Sequence, residues 1–205
     1  KAYFRSKFAT SETEYEKFEK NYHYEVYRNK KIRKFFGNFE DSNLLYKRVT
    51  EDIKYFAELY FKLRTSYNHE HLIFNELVGQ SQQYLLVMSN IELYDPSENQ
   101  KINEVSKRFD RFHTTLRLID EYDSNSFQQF IHSLNVNLRN KPIEEIKINF
   151  DRTCITYLEE RGVIDKDKYI TISDLYKFPL FKNMRHKLLN FTKYVLMRVD
   201  RFLSD

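Results

Sequence analysis

Tryptophan is absent, cysteine occurs once, and glycine and proline occur three times each in 205 residues. A single thiol, Cys154, rules out an internal disulfide framework and any CxxC metal knuckle, and it fits a reducing, cytoplasmic setting. Three glycines are too few for the tight turns of sandwiches and barrels, or for phosphate-cradling loops that need several glycines in one turn. No apolar run approaches the length of a membrane span, and no signal-like segment opens the chain. Neither sign of charge dominates. The 34 Lys and Arg face 30 Asp and Glu, a net charge of +4, which permits a nucleic-acid partner without demanding one.

Large rings are abundant, with 18 Phe and 16 Tyr. With alanine and glycine scarce as spacers, the core is expected to be ring-packed between long helices. The apolar periodicity supports an all-α fold, an irregular multi-helix bundle of about eight helices. Residues 1–205 read as a single helical domain, with a soft lobe boundary near 94–100 at Tyr94-Asp95-Pro96-Ser97. Thr10 or Ser11, followed by acids at 12, 14 and 16, starts one helix that is expected to run to Gly37-Asn38. Val49 to Leu63 carries a second. A third, from His69 to Met88, is loosened at Gly79. Glu98 to Ile119 forms the next, and Asp123-Ser124-Asn125-Ser126 supplies a hinge and an N-cap for a short helix from about Phe127 to Asn137. Pro142 with Glu144 and Glu145 opens a helix that closes at Gly162. Tyr169–Thr171 reads as a short extended piece, and Phe178-Pro179-Leu180 as a break before the final helix. Residues 1–10 read as the tail of something larger upstream.

Catalytic constellations do not assemble. His69-Glu70-His71 is the one close histidine pair, a weak metal candidate, because residues two apart on a helix point to opposite sides. Position 73 is Ile, so the zinc-protease HExxH pattern fails. His113, His132 and His186 sit alone in separate helices. Asp120-Glu121-Asp123 is the ordinary acid cluster of a hinge. Cys154 shares an apolar face with Phe150 and Tyr157, where a thiol packs as a small hydrophobe. No cofactor is expected.

Surface cations remain. Arg28, Lys30, Lys31, Arg33 and Lys34 place five positive charges in seven residues without an acid, either a solvated helix face near a C-terminus, where cations are favourable, or a phosphate-facing patch. In the last long segment, Leu188, Phe191, Val195, Val199 and Phe202 form an apolar stripe that is expected to face inward. Lys187, Tyr194, Arg198 and Arg201 form a second stripe about 80–100° away, expected to stay available to DNA phosphates. The candidate nucleic-acid residues are therefore Arg28, Lys30, Lys31, Arg33, Lys34, Lys187, Tyr194, Arg198 and Arg201.

The stretch Lys193-Tyr194-Val195-Leu196-Met197-Arg198-Val199-Asp200 resembles the Arg-Tyr-hydrophobic-Leu-x-Arg-hydrophobic-Glu helix of the GmrSD-like nucleases, the DUF262/DUF1524 proteins that restrict modified phage DNA. In that family a ParB-like nucleotide-hydrolysing domain precedes a long helical region, and a His-Asn-His-type nuclease domain follows it. Tyr194 and Arg198 match the family's aromatic and second arginine. Lys193 stands where arginine is usual, and Asp200 where glutamate is. The Asp-Gly-Gln-Gln-Arg signature of the first domain is absent here, as is a nuclease histidine motif. The resemblance implies a central helical piece without either catalytic centre, with possible DNA and the flanking domains of a parent protein as partners, and the ends at Lys1 and Asp205 read as trimmed edges. The alternatives are a helical protein–protein interaction domain and a small all-helical metal-dependent enzyme.

Overall fold

A computed structural model describes residues 1–65, 68–165 and 192–204, the side chains of 192 and 193 excepted. Among them every regular element is helical, arranged as an irregular bundle of eleven α-helices with a short 3-10 turn and a π-helical turn between them. The order is α1 (Ala2–Phe8), α2 (Glu12–Arg28), α3 (Lys30–Phe35), α4 (Ser42–Lys47), α5 (Lys54–Thr65), α6 (Glu70–Leu77), α7 (Gln83–Asn90), α8 (Glu98–Leu118), α9 (Ser124–Leu138), α10 (Ile143–Glu160) and α11 (Thr192–Ser204). The all-α, irregular multi-helix bundle expected from the sequence is what the described residues show, with α1 as a helix in residues 1–10 and the segments 11–36 and 69–88 each divided in two.

Local signals explain most boundaries. The Ser11 hydroxyl accepts from the Glu14 amide at 3.2 Å, and Glu14 reaches back to the Thr10 amide at 2.7 Å. The first bond satisfies a first-turn amide, and the second ties the residue before the cap to the helix. Asp123 caps α9 through the Ser126 amide at 2.8 Å. Gly162, at φ +67°, closes α10. Its amide donates to Glu159 and that of Val163 to Leu158, both at 2.9 Å, the paired return bonds of a left-handed helix end. Gly79, at φ +76°, separates α6 from α7.

The expected single helix to Gly37 is not one rod. Asn21 leaves helical space at φ −135°, ψ 38°, and Asn29 ends α2 while its side chain caps α3 through the amides of Lys31 and Ile32. The bend at Asn21 lets Lys31 return to Thr10 at 3.1 Å and to Glu14 at 3.9 Å. The second helix begins earlier than its hydrophobic run. From α4 the chain passes through a π-helical turn, Arg48–Ile53, into α5 without a break.

α1 has no side-chain N-cap. Its C-terminal carbonyls are satisfied from α9 instead: Arg139 Nε donates to Ser6 at 3.0 Å and Nη2 to Ala9 at 2.5 Å. Such remote capping serves the orphan carbonyls of a short helix as well as a local cap does. Lys7 extends from the same turn to the carbonyls of Ser89 (3.1 Å) and Ile91 (2.6 Å) and to Asn140 Oδ1 (2.8 Å).

The main core runs from Tyr3 through Phe56, Leu86, Ile102, Phe109, Phe112, Phe127, Phe130, Phe150 and Cys154 to Ile164, so it draws side chains from both sides of residues 94–100. A smaller core of Ala9, Tyr15, Phe18, Ile32, Phe36 and Leu85 underlies α2 and α3. No helix among the described residues is long and apolar enough to cross a membrane.

Candidate functional site

Two places gather chemistry-bearing side chains. The first lies where α11 meets α6 and α8, and each helix supplies side chains one turn apart, which is how neighbours on one helical face are spaced. α8 contributes Asp110 and Thr114, α6 contributes His71 and Phe74, and α11 contributes Tyr194 and Arg198. Asp110, only 1% exposed, is the hub. One carboxylate oxygen accepts from the Tyr194 hydroxyl. The other accepts from the Arg198 guanidinium and from His71 Nδ1, the latter at 2.6 Å. The Tyr194 hydroxyl accepts in turn from Thr114 at 2.7 Å and from Arg198 at 3.0 Å. Arg198 lies 4.6 Å above the Phe74 ring, and Phe74 meets Tyr194 edge-on at 6.0 Å.

A carboxylate removed from water is costly unless paired and hydrogen-bonded. Here three donors on two helices answer it. Burial, then the Asp110 charge, push the Tyr194 phenol up, so it stays a donor and is neither base nor nucleophile. The cluster is a closed lock whose donors and acceptors already meet each other.

This overturns the inward-facing assignment of the apolar stripe. Tyr194 is 3% exposed, whereas Val195, Val199 and Phe202 are exposed, Phe202 at 81%. The helix docks through its aromatic-arginine flank because Asp110 requires compensation, and the valines on the neighbouring arc face outward. Tyr194 and Arg198, expected to stay available, are engaged within the bundle: Tyr194 is buried, and Arg198, partly open to solvent, is ion-paired to Asp110. Arg201, one turn on, is exposed. Lys187, Leu188, Phe191, His186 and the stretches at 169–171 and 178–180 lie outside the described residues.

The histidine pair does not converge on one point. His69 Nδ1 donates to Asn103 at 2.6 Å, while His71 goes to Asp110. Those partners are seven residues apart on α8, about 10 Å along its axis. No group of three His, Cys, Asp or Glu among the described residues is placed to hold a metal ion. His113 packs among Phe109, Tyr122 and Phe127, and burial, assisted by Arg117 and opposed by Asp110, pushes its imidazole down to about 4. Cys154 is fully buried, and burial pushes its thiol up, away from nucleophilic use. A cleft of about 580 Å³ between α1, α5 and α7 has Arg5, Glu19, Tyr60 and Gln82 in its wall and neither histidine nor cysteine.

The second place is the α2–α3 turn. Arg28, Lys30, Lys31, Arg33 and Lys34 are all exposed. On α3, Ile32 and Phe36 point into the small core, which turns Lys30, Lys31, Arg33 and Lys34 onto one outward arc. Lys31 is engaged with Thr10 and Glu14. Arg28 lies 5.4 Å from the Tyr24 ring. Between Val26 and Phe39 the sequence holds no acid, so the arc keeps its charge. Of the cations along α8, by contrast, Lys101 is buried against Asp95 at 2.7 Å, and Arg108 is held by Glu104 and Asp151.

Sequence reasoning found the second place from charge spacing alone. It missed the first because nothing local links Asp110 to Tyr194, which are 84 positions apart; the available hint was an acid one step off the apolar face of α8. Comparison of the chain with family models, curated proteins and solved structures finds no match.

Proposed function

We propose that this chain is a non-catalytic helical module of a DNA-restricting, phage-defence nuclease of the GmrSD-like kind, orienting flanking domains and touching DNA phosphates through the α2–α3 cations. The observation that carries the reading is the exposed run Lys30, Arg33 and Lys34 with Arg28 beside it, Lys31 alone of the five being paired with Glu14, on a bundle whose histidines at 69 and 71 are hydrogen-bonded internally and whose His113 and single thiol are buried in packing. The motif resemblance in α11 supports it, and it gives the matching aromatic and arginine a mechanical task. Tyr194 and Arg198 fix the helix to the bundle, so its orientation follows that of α8.

Phosphate contacts of this kind are strongly salt-dependent, each neutralised phosphate adding about 0.9 to the slope of log affinity on log salt for duplex DNA. Duplex binding measured between about 50 and about 200 mM salt tests the reading. The triple variant Lys30→Gln/Arg33→Gln/Lys34→Gln is expected to lose most binding and to flatten the slope by two to three contacts, about 2–3. Arg198→Gln leaves the slope unchanged. Unaltered affinity in the triple variant removes the phosphate role. A second reading, a protein-interaction module, draws on the exposed Val199, Phe202 and Leu203, since large exposed apolar side chains in one patch mark partner surfaces.

A further inference from the structure

Cations alone would serve a duplex, but the α2–α3 face also holds rings that a duplex does not need. On the last two turns of α2, Tyr24 and Tyr27 share an outward arc with His23 and Arg28, and the two tyrosines are 53% and 67% exposed. Other exposed rings, such as Tyr46, Phe61 and Tyr94, lie elsewhere on the chain, but these two adjoin the run of cations. They are also footed. Tyr27 leans on Phe39 at 5.5 Å, and Phe39 stacks on the buried Phe36 of α3 at 5.5 Å and 22°. Arg28 covers one side of Tyr24 at 5.4 Å. The Tyr27–Phe39–Phe36 contacts join the ring-bearing end of α2 to the C-terminal end of α3, the short helix that carries the exposed Lys30, Arg33 and Lys34.

We propose that this face binds single-stranded nucleic acid, with Tyr24 and Tyr27 stacking on unpaired bases while Arg28, Lys30, Arg33 and Lys34 follow the phosphates. The inference rests on the DNA reading above and names the form of nucleic acid recognised. Every base has a π face, so stacking on tyrosine is sequence-tolerant, and a cationic track alongside supplies attraction along the backbone. In a duplex those faces are hidden between neighbouring pairs, leaving the rings nothing to stack on. An anionic membrane is the less suitable partner. Between residues 22 and 40 the exposed large apolar side chains are tyrosines alone, without the Leu or Phe that would enter a headgroup boundary.

The test is anisotropy titration of the full chain with labelled oligothymidylate of about twenty nucleotides and with a duplex of equal length, at about 50 and about 200 mM salt. Vesicles of phosphatidylserine and phosphatidylcholine form a third arm. Wild type is expected to bind the single strand at least about tenfold tighter than the duplex. Tyr24→Leu/Tyr27→Leu loses about tenfold or more on the single strand and little on the duplex. Tyr24→Phe/Tyr27→Phe retains binding, which separates stacking from a folding defect. Equal affinity for both forms, indifferent to the tyrosine variant, overturns the inference and leaves the phosphate reading standing. No binding to either form at low salt overturns both. Binding to vesicles in preference to the oligonucleotide assigns the face to a membrane and also overturns the inference.

Discussion

Acid should destabilise this protein in a defined window, and His113 should be a main cause. Its ring lies 2% exposed among Phe109, Tyr122 and Phe127, and burial holds its imidazole at about 4. In the unfolded chain the same group titrates near the ordinary value of about 6.5. Above pH 6.5 both states are neutral and His113 contributes no pH dependence. Between about 6.5 and about 4 the unfolded chain takes up a proton that the folded chain refuses, so stability falls as pH falls. At about 1.4 kcal/mol per pH unit, the loss reaches about 3 kcal/mol by pH 4. His132 adds to the same window. Burial lowers its imidazole too, against Glu12, Glu16 and Glu19 nearby, and its ring sits 3.9 Å from that of Tyr15. Asp95, held down to about 2 chiefly by Lys101 and Ser97 against the opposing effect of burial, keeps its contribution until pH falls below about 3.8 and does not confuse the result. Urea unfolding of wild type and His113→Phe at pH 7.5, 6.5, 5.5 and 4.5 reads the effect, because the difference between the two curves cancels carboxylates and His132. The variant should lose about 2–3 kcal/mol less than wild type across that range. Parallel curves would refute a buried, proton-refusing His113.

Lys7 governs a different window. Burial is the largest cause pushing its ammonium down to about 7, below its ordinary value, so stability should rise as pH climbs from about 7 towards about 10, where the unfolded chain still holds the proton. Lys7→Met should flatten that rise in urea titrations, and a wild type with no rise would contradict the argument. Two glycines should separate by their surroundings. Gly162→Ala meets nothing within 4 Å and should cost about 1 kcal/mol for its positive φ alone, whereas Gly37→Ala also brings a Cβ to 3.1 Å from Asp41 Cβ and Leu44 Cδ2 and should cost more. Equal thermal shifts for the two would count against the close approach at Gly37.

The fold was legible wherever the determinant was local. Ser11, Asp123, Pro142 and Gly162 announce helix ends through one or two neighbouring backbone groups, and the apolar spacing of Ile102, Val105, Phe109, Phe112 and Leu116 announces α8. Elements fixed from a distance were not legible. α1 carries no cap of its own and depends on Arg139, more than 120 residues away. The bend at Asn21 occurs in a polar residue without glycine or proline to mark it. The largest reversal is in α11, where the rule that the apolar stripe turns inward gives way to one buried carboxylate. The buried Asp110 carboxylate draws Tyr194 and Arg198 of α11 towards α8, and Val195, Val199 and Phe202 are left facing outward. The same segment carried the family resemblance, so the residues that looked most like a ligand-facing flank are the ones that hold the helix down. The α2–α3 cations were legible as a run, but their common direction depends on the burial of Ile32 and Phe36, and the exposed tyrosines beside them depend on the bend at Asn21.

Amide hydrogen exchange in the segment 196–204 tests the docking of α11 most directly, measured for wild type, Asp110→Asn and Tyr194→Phe. The account predicts protection of these amides in wild type and a loss of about 30- to 100-fold in Asp110→Asn, somewhat less than breaking a fully buried ion pair costs, because Arg198 is partly open to solvent. A smaller loss is expected in Tyr194→Phe, with amides of α9 and α10 unchanged in both. Amides of α11 that exchange freely in wild type, or that keep full protection when Asp110 is neutralised, would contradict it.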